Sequence, residues 1–168
     1  MDTNIICTHR CTLSCPNCNV LGTRHWVENL AYKNFELFLS QAWIRKRYYD
    51  RMFFTGGEPT LWPHLAIAIK DAKASGIVGK TIVVSNGVGR NIEDYGKADR
   101  IYLSDYGAQN RLDLLRLKKQ GGRRVVIGHP VHVARPIESV PGSLPPTCNC
   151  YGDTLMDDRV YPCYEAGL

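Results

Sequence analysis

Arg51-Met52-Phe53-Phe54-Thr55-Gly56-Gly57-Glu58-Pro59 is the stretch from which the rest of the chain can be read. Aromatic and apolar residues make a short strand over 51–55, and it stops at two glycines that can take φ angles closed to other residues. A carboxylate follows at once, and Pro59 fixes the exit and cannot continue a strand ladder. Taken alone, the run also fits an ordinary tight strand-to-helix turn. The segments on either side decide between the two.

Downstream, Leu65, Ala68, Ile69 and Ala72 repeat at helical spacing between about His64 and Ser75, and Gly76 offers a helix stop. Lys80-Thr81-Ile82-Val83-Val84 is a nearly continuous apolar strand that runs into Ser85-Asn86-Gly87. Residues 91–97 make only a turn or so of helix. A fourth strand, Arg100–Leu103, ends at Ser104-Asp105; a helix over about 109–120 stops at Gly121-Gly122; Arg123–Ile127 supplies a fifth strand. Upstream, Asn34 is placed to cap a helix with an apolar stripe of Phe35, Phe38, Leu39, Ala42 and Trp43, and residues 3–7 read as a short buried strand. Strands alternating with helices predict a parallel sheet with right-handed crossovers and ligand sites at the C-terminal ends of its strands. Gly56 to Pro59, Ser85-Asn86, Ser104-Asp105 and Gly128-His129 all fall on that edge.

The loop after the first strand carries Cys11, Cys15 and Cys18 in the spacing Cys-x3-Cys-x2-Cys. Three thiolates in one loop can hold three irons of a [4Fe–4S] cube and leave the fourth open to a small molecule. A zinc site completed by His9 or His25 is the competing reading of the cysteines alone. The run Thr8-His9-Arg10-Cys11-Thr12-Leu13-Ser14-Cys15-Pro16-Asn17-Cys18, followed about forty residues later by Gly-Gly-Glu-Pro, resembles the radical S-adenosylmethionine (SAM) superfamily. The resemblance covers about residues 1–135 and implies an α/β fold, an open partial (βα)5–6 barrel of parallel strands. Pro130–Ala134 is the candidate sixth strand, with no helix after it.

Several roles follow from the resemblance. Cys11, Cys15 and Cys18 are the expected cluster ligands, and Gly56, Gly57 and Glu58 are expected to bind the methionyl amine of SAM. Ser85 and Asn86 match a position that contacts the SAM ribose or carboxylate, Asp105 is a candidate for the ribose hydroxyls, and Gly128 for a close approach of adenine. The family often places an aromatic residue before the third cysteine; this chain has Asn17 there, and His25 or Trp26 are the candidates for that role. The implied reaction is reductive cleavage of SAM to a 5′-deoxyadenosyl radical, which abstracts hydrogen from a substrate. A peptide or protein is the expected substrate class, and a flavodoxin or ferredoxin the expected reductant. A glycyl-radical activating enzyme is the alternative within the superfamily. A non-catalytic zinc- or cluster-binding module is the alternative outside it.

Beyond residue 135 the composition changes. Residues 136–147 hold Pro136, Pro141, Pro145 and Pro146 and read as a stiff linker. Residues 148–168 read as a small Cys-rich extension, in which Cys148, Cys150 and Cys163 bracket a hairpin of Thr154–Met156 and Val160–Tyr161. Asp158–Cys163 resembles part of the auxiliary-cluster (SPASM or twitch) modules that follow many radical SAM barrels. The trio is therefore a candidate second iron–sulfur cluster, with a zinc clip or unpaired thiols as its alternatives. Cys7, flanked by apolar residues, reads as a core thiol. His129 and His132 are candidate proton carriers or surface histidines.

The bulk composition narrows the field. A chain of 168 residues suits one domain with a small appendage. Seven cysteines, six of them in two groups of three, read as metal binding in a reducing compartment. A charge of +5, with basic groups near helix ends, does not imply nucleic acid. Met1–Ile6 does not read as a signal peptide, and no apolar run of about 18 residues spans a bilayer. The expectation is a cytoplasmic protein without a membrane span.

Overall fold

The computed structural model describes residues 1–15, 18, 29–128, 153–156 and 159–161. In chain order these form β1 (Asp2–Thr8), α1 (Tyr32–Ile44), β2 (Tyr49–Gly56), α2 (Leu65–Ala74), β3 (Val78–Ser85), β4 (Arg100–Ser104), α3 (Arg111–Gly121), β5 (Val125–Gly128), β6 (Asp153–Met156) and β7 (Arg159–Tyr161). Among the described residues they build one seven-stranded sheet in the order β5-β4-β3-β2-β1-β6-β7. The pairs from β1 to β5 are all parallel, as the β–α alternation predicts.

The order from β1 to β5 never reverses, so the crossover helices stay on one face of the sheet. A single register row shows this: Leu155, Ile5, Phe54, Val83, Ile101 and Val125 are partners across six neighbouring strands. All six are buried in one cluster with Phe35, Phe38, Leu39 and Ala42 of α1, Leu65, Ala68, Ile69 and Ala72 of α2, and Leu114 and Leu117 of α3. Each large side chain buried in this way contributes about 1.5–3 kcal/mol. On the opposite face the neighbouring row runs Phe53, Ile82 and Arg100, and with Arg51, Lys80 and Tyr102 it gives a mixed surface of cations and aromatics. The sheet is open, with edges at β5 and β7 among the described residues.

Four local expectations are revised. Asn34 lies inside α1; the helix starts at Tyr32 behind Ala31, with no side-chain cap. Its entry is anchored by Leu30, whose N–H donates to Cys7 O at 2.9 Å, so tertiary bonding replaces the cap. Trp43 is 67% exposed, because it sits one position beyond the Phe35-Phe38-Leu39-Ala42 stripe. Arg123 and Arg124 belong to a short 3-10 turn, Gly122–Arg124, and β5 begins at Val125. The C-terminal hairpin is present, but β6 pairs in parallel with β1 and extends the same sheet. Leu155 completes the buried row, which is the physical reason the hairpin docks there. The expected sixth strand at 130–134 and the linker at 136–147 lie outside the described residues. Among the described residues no helix is long and apolar enough to cross a membrane.

Trp62 joins the layers. It is buried, its Nε1 donates to Leu30 O at 2.8 Å, and its ring meets Phe35 edge-on with centroids 6.2 Å apart. Trp62→Phe would leave Leu30 O without its donor and open a void, at a cost of about 2–4 kcal/mol. Urea unfolding of the purified variant should show this as a lower midpoint with an unchanged slope.

Candidate active site

The site begins where two backbones touch. Gly57 N donates to Thr8 O at 2.7 Å and Glu58 N donates to Arg10 O at 2.7 Å, so the end of β2 holds the chain that leads into the cysteine loop. A Cβ on Gly56 would stand 2.4 Å from Thr8 O, and one on Gly57 would stand 2.2 Å from Arg10 O. Gly56 also has φ +126°. Only glycine permits this approach, so the pair fixes where the cysteine loop starts.

Glu58 turns inward from the same point and is fully buried. Its Oε1 accepts from Thr60 N at 3.2 Å, Thr60 Oγ1 at 2.7 Å and Ser85 Oγ at 2.9 Å. Its Oε2 accepts from Asn86 N at 2.9 Å and Ser85 Oγ at 3.0 Å. Because Ser85 donates to the carboxylate, the Tyr95 hydroxyl 3.0 Å away donates to Ser85. Burial pushes the Glu58 carboxyl above the ordinary glutamate range, and the bonds from Thr60, Asn86 and Ser85 only partly offset it. Burial and then the charge of Glu58 push the Tyr95 phenol up in turn. This network ties the end of β2 to the end of β3.

Cys11, Cys15 and Cys18 are free, partly buried thiols on the loop so anchored. Cys11 Sγ accepts from Leu13 N at 3.4 Å and from Asn86 Nδ2 at 3.5 Å. Burial raises the Cys11 thiol, the Leu13 N–H lowers it, and the charges of Glu58, Cys18 and Cys15 raise it further. Burial and then Cys18 raise Cys15. Tyr106 stands close enough to feel all three thiols: burial first, then Cys15, Cys11 and Cys18, push its phenol up to about 12.

The donor set fits an iron–sulfur cluster. Soft thiols lie together and repel one another as thiolates, Cys11 receives two N–H donors, and a cationic centre would relieve that repulsion. Among the described residues, no three His, Cys, Asp or Glu side chains are grouped so as to hold a single metal ion. A cube spreads its thiolates over separate irons, so it asks for neighbouring thiols that do not converge.

The remaining strand ends complete the edge. Asp105 N donates to Gly128 O at 2.8 Å, and its carboxylate accepts from Gly107 N at 2.8 Å and from Arg111 at 3.1 Å. The position of a Cβ on Gly128 is open space. The structure thus brings Gly56, Gly57, Glu58, Ser85, Asn86, Asp105, Gly128 and the three N-terminal cysteines to one edge of one sheet. Cys7 is a buried core thiol whose pKa burial drives well up. His9 is buried. Cys148, Cys150, Cys163, His25, Trp26, Asn17, His129 and His132 lie outside the described residues.

Two residues of the edge escaped the sequence reading. Thr60 supplies two of the bonds to Glu58. Buried Asn110 donates through Nδ2 to Asn86 O and Ser104 O, both at 2.7 Å, and joins β3 to β4. A polar residue two positions after the glutamate and an asparagine at a helix start were the only signals, and each has a local explanation in a cap or turn.

No protein-family model matches the chain, and no curated protein matches it in sequence. Solved structures match in fold. BtrN, in complex with AdoMet and 2-DOIA, is similar with a TM-score of 0.68 at 14% identity, over 98% of this chain and 73% of BtrN. SuiB of Streptococcus suis, bound to the precursor peptide SuiA, is similar with a TM-score of 0.59 at 20% identity, over 76% of this chain and 32% of SuiB. SuiB bound to S-adenosylmethionine gives a TM-score of 0.56 at 19% identity. The chain spans about a third of SuiB's length. This chain shares its open α/β fold of parallel strands with both neighbours.

The Glu58 network makes a test of its own. Both carboxylate oxygens accept from a backbone N–H, so in Glu58→Gln the amide NH2 must face one of them. The variant should lose about 1–3 kcal/mol of stability. Because the folded pKa is raised, the wild-type carboxyl contributes stability that is present below the unfolded glutamate value and lost as pH rises through the folded one. Denaturation of the metal-free proteins across that window should show the gap between wild type and Glu58→Gln narrowing as pH rises.

Proposed function

We propose that this chain is a radical SAM enzyme, with a [4Fe–4S] cluster on Cys11, Cys15 and Cys18 and SAM lying across Gly56, Gly57, Glu58, Ser85, Asn86, Asp105 and Gly128. When bound, the cluster supplies the electron that splits SAM into methionine and a 5′-deoxyadenosyl radical, which takes hydrogen from an unactivated substrate carbon. One observation carries the reading: three free thiols stand on a loop pinned by the glycine pair at the C-terminal edge of a sheet. The SAM-bound neighbours share that fold.

The chain's own residues supply position and charge. Glu58 is a buried carboxylate whose hydrogen-bond donors are all neutral, so its charge is solvated but not compensated. An ammonium group arriving at the rim beside it would be attracted by that charge, as the methionyl amine of SAM requires. Tyr106 lies near the three thiols, and the Asp105–Gly128 bond ties the end of β4 to the end of β5.

For the substrate we propose a peptide or protein, supported by the precursor peptide bound to SuiB. A second reading is a small molecule, favoured by the likeness to BtrN with 2-DOIA, which runs over 98% of this chain. A flavodoxin or ferredoxin is the proposed reductant, Cys148, Cys150 and Cys163 the proposed ligands of a second cluster, and the cytoplasm the proposed setting.

Anaerobic reconstitution with iron and sulfide, then dithionite and SAM, tests this. Wild type should release 5′-deoxyadenosine, and Cys11→Ala, Cys15→Ala and Cys18→Ala should each fall to the level of buffer controls. Iron-loaded wild type that yields none would make the chain a non-catalytic cluster module. Zinc in place of iron would make it a zinc module. About eight irons per chain would support the second cluster, and about four would remove it.

A further inference from the structure

We propose that Asn86 is a positioning residue for the cluster: its side-chain amide is a fixed donor to Cys11 that raises the reduction potential of the centre bound there. This rests on the reading of Cys11, Cys15 and Cys18 as cluster ligands.

The amide has one orientation available. Asn86 Oδ1 accepts from Val88 N at 2.9 Å and from Thr12 Oγ1 at 3.2 Å. A flipped amide would turn its NH2 against the Val88 N–H, so the oxygen stays there and Nδ2 points to Cys11 Sγ, 3.5 Å away. The backbone of Asn86 is held as firmly. Its N–H donates to Glu58 Oε2 at 2.9 Å and its carbonyl accepts from Asn110 Nδ2 at 2.7 Å. Asn110 is itself fixed, accepting from Tyr106 N at 3.0 Å and donating to Ser104 O. Asn86 is 5% exposed, so water does not compete for these bonds.

Every polar group of Asn86 is thus engaged, and one of them faces a ligand sulfur. A donor to a cluster sulfur stabilises the reduced, more negative state and shifts the potential upward. A rigid donor does so without reorganising when the electron arrives. Residues of this kind around a metal ligand commonly tune the centre they do not touch.

The test needs no turnover. Wild type, Asn86→Asp and Asn86→Ser are reconstituted, assayed for iron, checked by circular dichroism, and titrated potentiometrically with EPR detection in the absence of SAM. Asn86→Ser removes the amide without adding charge and should shift the midpoint to a more negative potential at wild-type iron content. Asn86→Asp keeps acceptors for Thr12 and Val88 but sets an oxygen against the sulfur, and should shift it further. Wild-type potential in Asn86→Ser at full iron content overturns the proposal. So does loss of iron from both variants with the fold intact, which would make Asn86 a structural support of the loop. Wild type that takes up no cluster defeats the reading of the cysteines instead, and that outcome is visible before any variant is compared.

Discussion

Where β2 ends, the chain passes within contact distance of the end of β1 and the residues just beyond it, and the rest of the site depends on that crossing. Gly56 and Gly57 leave no room for a side chain against Thr8 and Arg10. Two short backbone bonds close the gap. The next residue, Glu58, places a carboxylate in the interior among neutral donors. Burying a charge in this way costs several kcal/mol unless hydrogen bonds replace its water, and the five contacts to Thr60, Ser85 and Asn86 offset part of that cost. Strand ends that would otherwise splay are drawn together, and the thiol loop is held above them.

The two faces of the sheet carry different duties. The helix-facing row from Leu155 to Val125 is apolar across six strands and supplies cohesion. The opposite face keeps Arg51, Lys80, Arg100 and Tyr102 at least partly accessible. The candidate site lies at neither face but at the C-terminal edge, where each parallel strand gives way to a loop. Because the edge is built from five strand ends in succession, a ligand there can touch residues far apart in sequence, such as Cys11 and Gly128.

Most of the architecture was legible because its signals are local. The stripe Leu65-Ala68-Ile69-Ala72 and the stop at Gly76, whose φ is +71°, come from periodicity and a single backbone preference. What stayed hidden is non-local. The apolar spacing of Phe35 to Trp43 could not show that Trp43 lies off the buried face, nor that Leu30 and Cys7 do the work expected of a cap. The docking of β6 on β1 depends on Leu155 meeting Ile5 across some 150 residues of chain. At the site the motif residues were legible as a set. Their mutual arrangement was not: Glu58 turns inward, and Asn86 faces a thiol. Asn110 and Thr60 had local readings that concealed their reach.

We propose that one sheet edge brings a cluster held by three thiols together with a rim that receives SAM. The most direct measurement is the EPR spectrum of the reduced, reconstituted protein with and without SAM. The expected result is a [4Fe–4S]+ signal whose g values and line shape change when SAM is added. A cluster signal that is identical in both samples, at SAM concentrations well above the protein, would contradict it.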